Sequence, residues 1–152
     1  MNHNGVLLNI RKGLAMAQIK EDPEFRKVDL AAKASRENLT RMLTKLFDLW
    51  KLPVNSQLSL LGLSPSSRAM LTKYRQGAAL STSRDVLDRA GWLLAIHKAL
   101  RLLYPRNEKL RYSWVSRPNR AFENRPPLEV MLEEGIIGIA KVSRYLDLQR
   151  GH

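Results

Sequence analysis

The chain has no cysteine in its 152 residues. That absence removes disulfides, thiolate zinc sites and thiol nucleophiles together, and it fits a reducing cytoplasm. No apolar run approaches the roughly 20 residues of a membrane span. The opening residues Met1 to Gly13 lack a basic head followed by a long apolar stretch, so no secretory signal is expected there. A cytoplasmic protein without a membrane partner is expected. Histidine is scarce, with only His3, His97 and His152. His97 falls on an apolar helical stripe, the usual place of a core histidine rather than a base. Glu133-Glu134 and the Asp85/Asp88 pair sit where solvated helix faces are expected. No Gly-rich phosphate loop or metal-ligand spacing occurs. The expectation is therefore no catalytic residue, no metal, no cofactor and no enzymatic activity. No strand pattern, internal repeat or low-complexity tract is visible either.

Acidic residues are also in short supply. Lys and Arg total 26 against 14 Asp and Glu, a formal net charge of +12. Such an excess suits a polyanionic partner. Residues 1–34 carry 6 basic and 4 acidic side chains, residues 35–80 carry 7 and 2, and residues 81–152 carry 13 and 8. The middle segment is the most nearly one-signed, so a nucleic-acid surface is sought there first. Hydrophobic residues make up 44%, enough for a packed core.

Hydrophobic spacing predicts an all-α protein. A short amphipathic helix is expected over residues 6–19, and an arm or dimer element before residue 35. A strong helix over 36–51 carries Leu39, Met42, Leu43, Leu46, Phe47 and Trp50 on one stripe, with Ser35 as its N-cap. A short helix over 56–61 follows. Another spans Pro65 to Gln76, with Ser64 as N-cap and Gly77 as stop. The long helix 84–104 is apolar on two sides, which places it at the centre of the fold or in a subunit interface; a homodimer is expected. Residues 105–127, with four prolines, are expected to be irregular and anchored by Trp114 and Phe122. Helices over 127–134 and 137–147 flank Gly135. The corresponding division is an N-terminal extension (1–34), a helix-turn-helix module (35–80), and a central helix with a small C-terminal helical domain (81–152).

Residues 53–76 fit a helix-turn-helix. Leu58 and Leu61 face inward, Gly62 supplies the turn, and Leu63 plugs the gap between helices. At about 100° per residue, Ser67, Met70, Leu71 and Tyr74 point inward on the second helix. The outward set is Ser66, Arg68, Ala69, Thr72, Lys73, Arg75 and Gln76. It has no acid, and its Thr, Gln, Arg and Lys suit base edges and phosphates. The bland alternative is a polar face on a helical bundle.

The C-terminal third carries an ordered pattern: Trp114, Asn119, Phe122, Pro127-Leu128, Gly135, Val142 and Tyr145-Leu146. In order and spacing it resembles the toxin-binding domain of Xre/MbcA/ParS-type antitoxins, and the upstream layout from about residue 39 is similar as well. Asn124 stands where that family has Gly; Asn is the next best residue for a left-handed conformation. The resemblance implies an antitoxin that dimerises, represses its own operon by binding operator DNA, and covers the active site of a cognate toxin. The toxin it implies is of the RES or ADP-ribosyltransferase-like type, acting on NAD. The implied toxin contacts are Arg117, Asn119, Phe122, Arg144, Arg150, Gly151 and His152. Arginines suit a cleft built for a phosphate-bearing dinucleotide. Phe122 also has the character of a core residue, and Arg117, Arg120 and Arg125 that of a solvated basic loop. The alternative is a helix-turn-helix regulator with no toxin.

Overall fold

A computed structural model describes residues 29–151. The expected helix over 6–19, most of the 1–34 extension and His152 lie outside the described residues. Within them the fold is all-α: α1 (Lys33–Leu49), α2 (Val54–Leu60), α3 (Arg68–Arg75), α4 (Arg84–Leu103), α5 (Glu108–Ser113) and α6 (Pro127–Gln149). Two 3-10 turns, Trp114–Ser116 and Arg120–Phe122, link α5 to α6. No helix among the described residues is long and apolar enough to cross a membrane.

The first helix buries Leu39, Leu43, Leu46 and Phe47, the stripe expected from spacing. It starts at Lys33 behind Ala32 rather than at Ser35, because Asp29 turns the chain earlier by accepting the Ala31 and Ala32 amides. It ends in a Schellman closure, with Leu52 N–H donating to the Phe47 carbonyl and Lys51 N–H to the Asp48 carbonyl. That closure puts Lys51 at φ 56. The same closure ends α2, where Leu63 N–H donates to the Leu58 carbonyl and Gly62 N–H to the Ser59 carbonyl. Gly62 has φ +74, and a Cβ there would stand 2.7 Å from Arg89 Nε and 2.8 Å from an Asp85 carboxylate oxygen. The left-handed φ favours glycine here, and any larger residue would have to push the Arg89 and Asp85 side-chain ends aside.

The long helix α4 is the centre of the molecule. Val86, Ala90, Trp92, Leu93, Leu94, Ile96, Ala99 and Leu100 are buried on both of its sides. Its neighbours α1, α5 and α6 cover them. The two-sided stripe is thus accounted for within one chain and carries no argument for a dimer. His97 is half-buried and stacks on Tyr112, with ring centroids 6.0 Å apart.

Residues 105–127 are more ordered than their prolines suggest. Asn107 caps α5 by accepting the Leu110 amide at 3.1 Å. Arg111 then bonds back to the carbonyls of Tyr104 and Pro105, which closes the corner between α4 and α5. The expected break at Gly135 is present as a kink (φ 64, ψ −142) inside α6. Beyond it the two halves press together: a Cβ at Gly138 would run into the Val130 carbonyl oxygen. One continuous core runs from Leu39 to Leu146. Helix α2 packs on α6, so residues 35–80 and 81–152 share that core.

Candidate functional site

Two surfaces carry the residues singled out by sequence. The first is the pair α2 and α3. Leu58, Leu60, Leu61, Leu71 and Tyr74 are buried between them and the core. Ser66, Arg68, Ala69, Thr72, Lys73, Arg75 and Gln76 are all exposed, so one side of this unit presents the whole expected set. Two details differ from expectation. Helix α3 begins at Arg68, not Pro65, and Ser67 rather than Ser64 stands at its N-cap. Ser64 Oγ instead bonds Ser66 Oγ at 2.7 Å and Ser67 Oγ at 3.1 Å, so the three hydroxyls satisfy one another in the turn. Met70 is 41% exposed, contrary to its expected inward place. Leu71 and Tyr74 set the inward direction, and Met70 stands about 70° from their bisector at 100° per residue.

Hydrogen bonds divide the exposed set. Arg75 Nη2 donates to Asp48 at 2.7 Å and to Gln57 Oε1 at 2.9 Å. Buried Gln57 in turn donates to the Leu52 carbonyl at 2.9 Å. Arg75 therefore ties α3 to α1 and α2, which restricts its reach toward a ligand. Arg68 makes one long bond to Asn55, 3.3 Å. Thr72 Oγ1 donates to the Arg68 carbonyl at 3.0 Å. Behind the turn, Arg89 pairs with Asp85 at 3.0 Å and donates to the Ser59 and Leu60 carbonyls at 3.3 and 3.5 Å. A cation there meets the negative end of α2.

The second surface is built on an aromatic cluster. Tyr145 of α6 stacks on Trp114 at 6.1 Å and meets Phe122 edge-on at 5.2 Å. Phe122 is only 5% exposed, so it supports this surface rather than forming it. Asn119 and Arg125 pair as a bridge, and between them Glu123 (φ 59) and Asn124 (φ 66) are both left-handed. Arg125 N–H closes that turn on the Phe122 carbonyl at 3.0 Å. Asn124 thus takes the conformation its identity suggests. Asn119 is also occupied locally, since its side chain accepts the Ala121 amide at 2.9 Å.

Arg125 is clasped by Glu133 at 3.0 Å and Glu134 at 3.2 Å, and Lys141 joins Glu134 at 3.3 Å. The Arg125 pairs tie the turn to the first half of α6, and the Lys141–Glu134 pair spans the kink at Gly135. Desolvation draws the Arg125 pKa down, but Glu134 and Glu133 outweigh it and hold it above the ordinary arginine value. Arg125 is therefore a structural cation. Arg117, Arg120 and Arg144 are exposed. Arg144 precedes Tyr145 in α6, and Arg117 and Arg120 lie in the segment between Trp114 and Phe122, the two aromatic partners of Tyr145. Arg150 is partly buried and pairs with Asp147 at 3.5 Å. Gly151 is exposed. Among the described residues no group of acids and histidines is arranged to hold a metal ion.

Sequence reasoning did not anticipate Arg89, Gln57 or Gly138. Arg89 and Gln57 bond backbone carbonyls far along the chain or hidden at a helix end, for which local spacing has no signal.

Comparison with known proteins bears on the second surface. Residues 99–151 match the family described as the antitoxin Xre/MbcA/ParS C-terminal toxin-binding domain. The matched region contains α5, the aromatic cluster, the left-handed turn and all of α6. The chain is also similar to an uncharacterized protein, y4oB, of Sinorhizobium fredii (strain NBRC 101917 / NGR234). They are 35% identical over 107 residues, covering 70% of this chain and 80% of that protein.

Proposed function

Because the chain belongs to the family of the rhizobial protein y4oB and its residues 99–151 match the toxin-binding domain of Xre/MbcA/ParS antitoxins, we propose that it is an antitoxin with two working surfaces. The C-terminal surface holds a cognate toxin of the RES or ADP-ribosyltransferase-like type and covers its NAD site. The α2–α3 unit binds operator DNA as a helix-turn-helix and represses the operon. The working division is residues 35–80 for DNA and 81–152 for the toxin.

The observation that carries this reading is that the matched region holds three exposed arginines next in sequence to its aromatic cluster. Arg117, Arg120 and Arg144 are exposed, and Trp114, Phe122 and Tyr145 in the same segments pack on one another. Guanidinium groups recognise phosphates through paired donors, so a dinucleotide site is a fitting target. Arg117 and Arg144 are the principal contacts, with Arg150, Gly151 and His152 following from the tail. Asn119 and Phe122 act by holding the turn.

The test is neutralisation of the toxin on co-expression. The double change Arg117→Glu and Arg144→Glu reverses two charges without touching the core. It is expected to abolish growth rescue and weaken the complex at least tenfold, with the helical circular dichroism unchanged. Full rescue by this variant removes both arginines from the interface.

A further inference from the structure

We infer that α3 reads thymine: Ala69 and Thr72 contact the C5-methyl groups of A·T pairs in the major groove. The inference rests on the DNA-binding reading above and adds to it the identity of the bases.

Ala69 and Thr72 are exposed and three residues apart, hence neighbours on one face of α3. That face is opposite buried Leu71 and Tyr74. The Thr72 hydroxyl donates its hydrogen to the Arg68 carbonyl at 3.0 Å. What Thr72 shows outward is therefore a methyl group and an acceptor oxygen. Ala69 shows only a methyl, and Met70 on the flank, 41% exposed, adds a thioether. At 100° per residue exposed Gln76 falls beside Ala69, so the centre of this face combines methyl groups with one amide.

The cations are elsewhere. Arg75 is held by Asp48 and Gln57. At 100° per residue Arg68 stands at one edge of the face, and Lys73 flanks Ala69 on the side away from Thr72, with a side chain long enough to reach a phosphate. No acid lies between Pro65 and Gln76, so this face lacks the carboxylate that is the usual acceptor for a cytosine amino group. In the major groove thymine alone displays a methyl, and alanine and threonine methyls are its usual contacts.

The experiment uses the full chain and duplexes selected from a library randomised over 30 base pairs. Each thymine of a selected duplex is replaced in turn by deoxyuridine, which removes only the methyl. Binding is expected to weaken about fourfold for each contacted thymine, from the usual value of one buried methyl-sized group, and to stay level at thymines outside the half-sites. The variant Thr72→Ser keeps the hydroxyl and loses the methyl; it should bind both duplexes alike at the position it contacts. A duplex that is selected and bound yet indifferent to deoxyuridine at every position overturns the thymine inference and leaves DNA binding standing. Failure to bind any duplex in a salt-dependent way overturns the DNA-binding reading and this inference with it.

Discussion

Lys51 occupies a position built for glycine. It holds φ 56 because α1 closes on its own last turn, and the closure requires a left-handed residue there. The conformation costs an L residue with a Cβ about 1 kcal/mol or more. Part of any gain from glycine is returned through a freer unfolded chain. Lys51→Gly is accordingly expected to raise stability by about 0.5–1 kcal/mol, read from the urea midpoint at unchanged slope. Asn124 and Lys51 show what is legible in single residues. Asn124 announces its left-handed turn, since Asn tolerates that region. Lysine has no such preference, so the strain at Lys51 appears only once the end of α1 is known. Met70 is the opposite case: an apolar side chain at a helical position reads as core, yet 41% of it is exposed, because Leu71 and Tyr74 already fill the groove.

Among the elements, α1 and α4 were the most legible, each within a few residues of its observed ends. Their long apolar stripes are set by burial against several neighbours at once. The start of α3 was not legible. A serine before a proline is a well-formed helix start, but here Ser64 is taken up by Ser66 and Ser67, and the helix waits until Arg68. Helix α5 was missed because six residues between prolines carry no periodicity. Its one local signal, Asn107 three residues before an amide it caps, was available. The division of labour on α3 leads to a prediction at this scale. Arg68→Ala and Lys73→Ala should each weaken DNA binding uniformly across sequences and reduce the slope of log affinity against log salt by about one. Toxin neutralisation by these variants should equal that of the parent. A salt slope unchanged in both variants would remove these side chains from the phosphate contacts.

At the scale of the whole molecule, two proposed surfaces share one core. Helix α2 packs on α6, and α4 touches α1, α5 and α6. This sharing was not legible, because tertiary contacts between distant helices leave no mark on local spacing. It has a thermodynamic consequence: the described residues should unfold in one cooperative transition. Trp50 lies in the first half of the core, and Trp92 and Trp114 lie in the second, so tryptophan fluorescence samples both. Its urea transition is expected to coincide with that of the helical circular dichroism; separate midpoints would show that the halves fold independently.

The proposed antitoxin role rests on the C-terminal surface, with its aromatic cluster, its left-handed turn and three exposed arginines. The most direct measurement is co-expression of the full chain with the product of the gene adjacent to its own, followed by affinity purification and a growth assay. A stable complex and rescue from growth arrest, with the partner's NAD-consuming activity suppressed in the purified complex, are the predicted results. A folded chain that neither binds that product nor relieves arrest would contradict the antitoxin account.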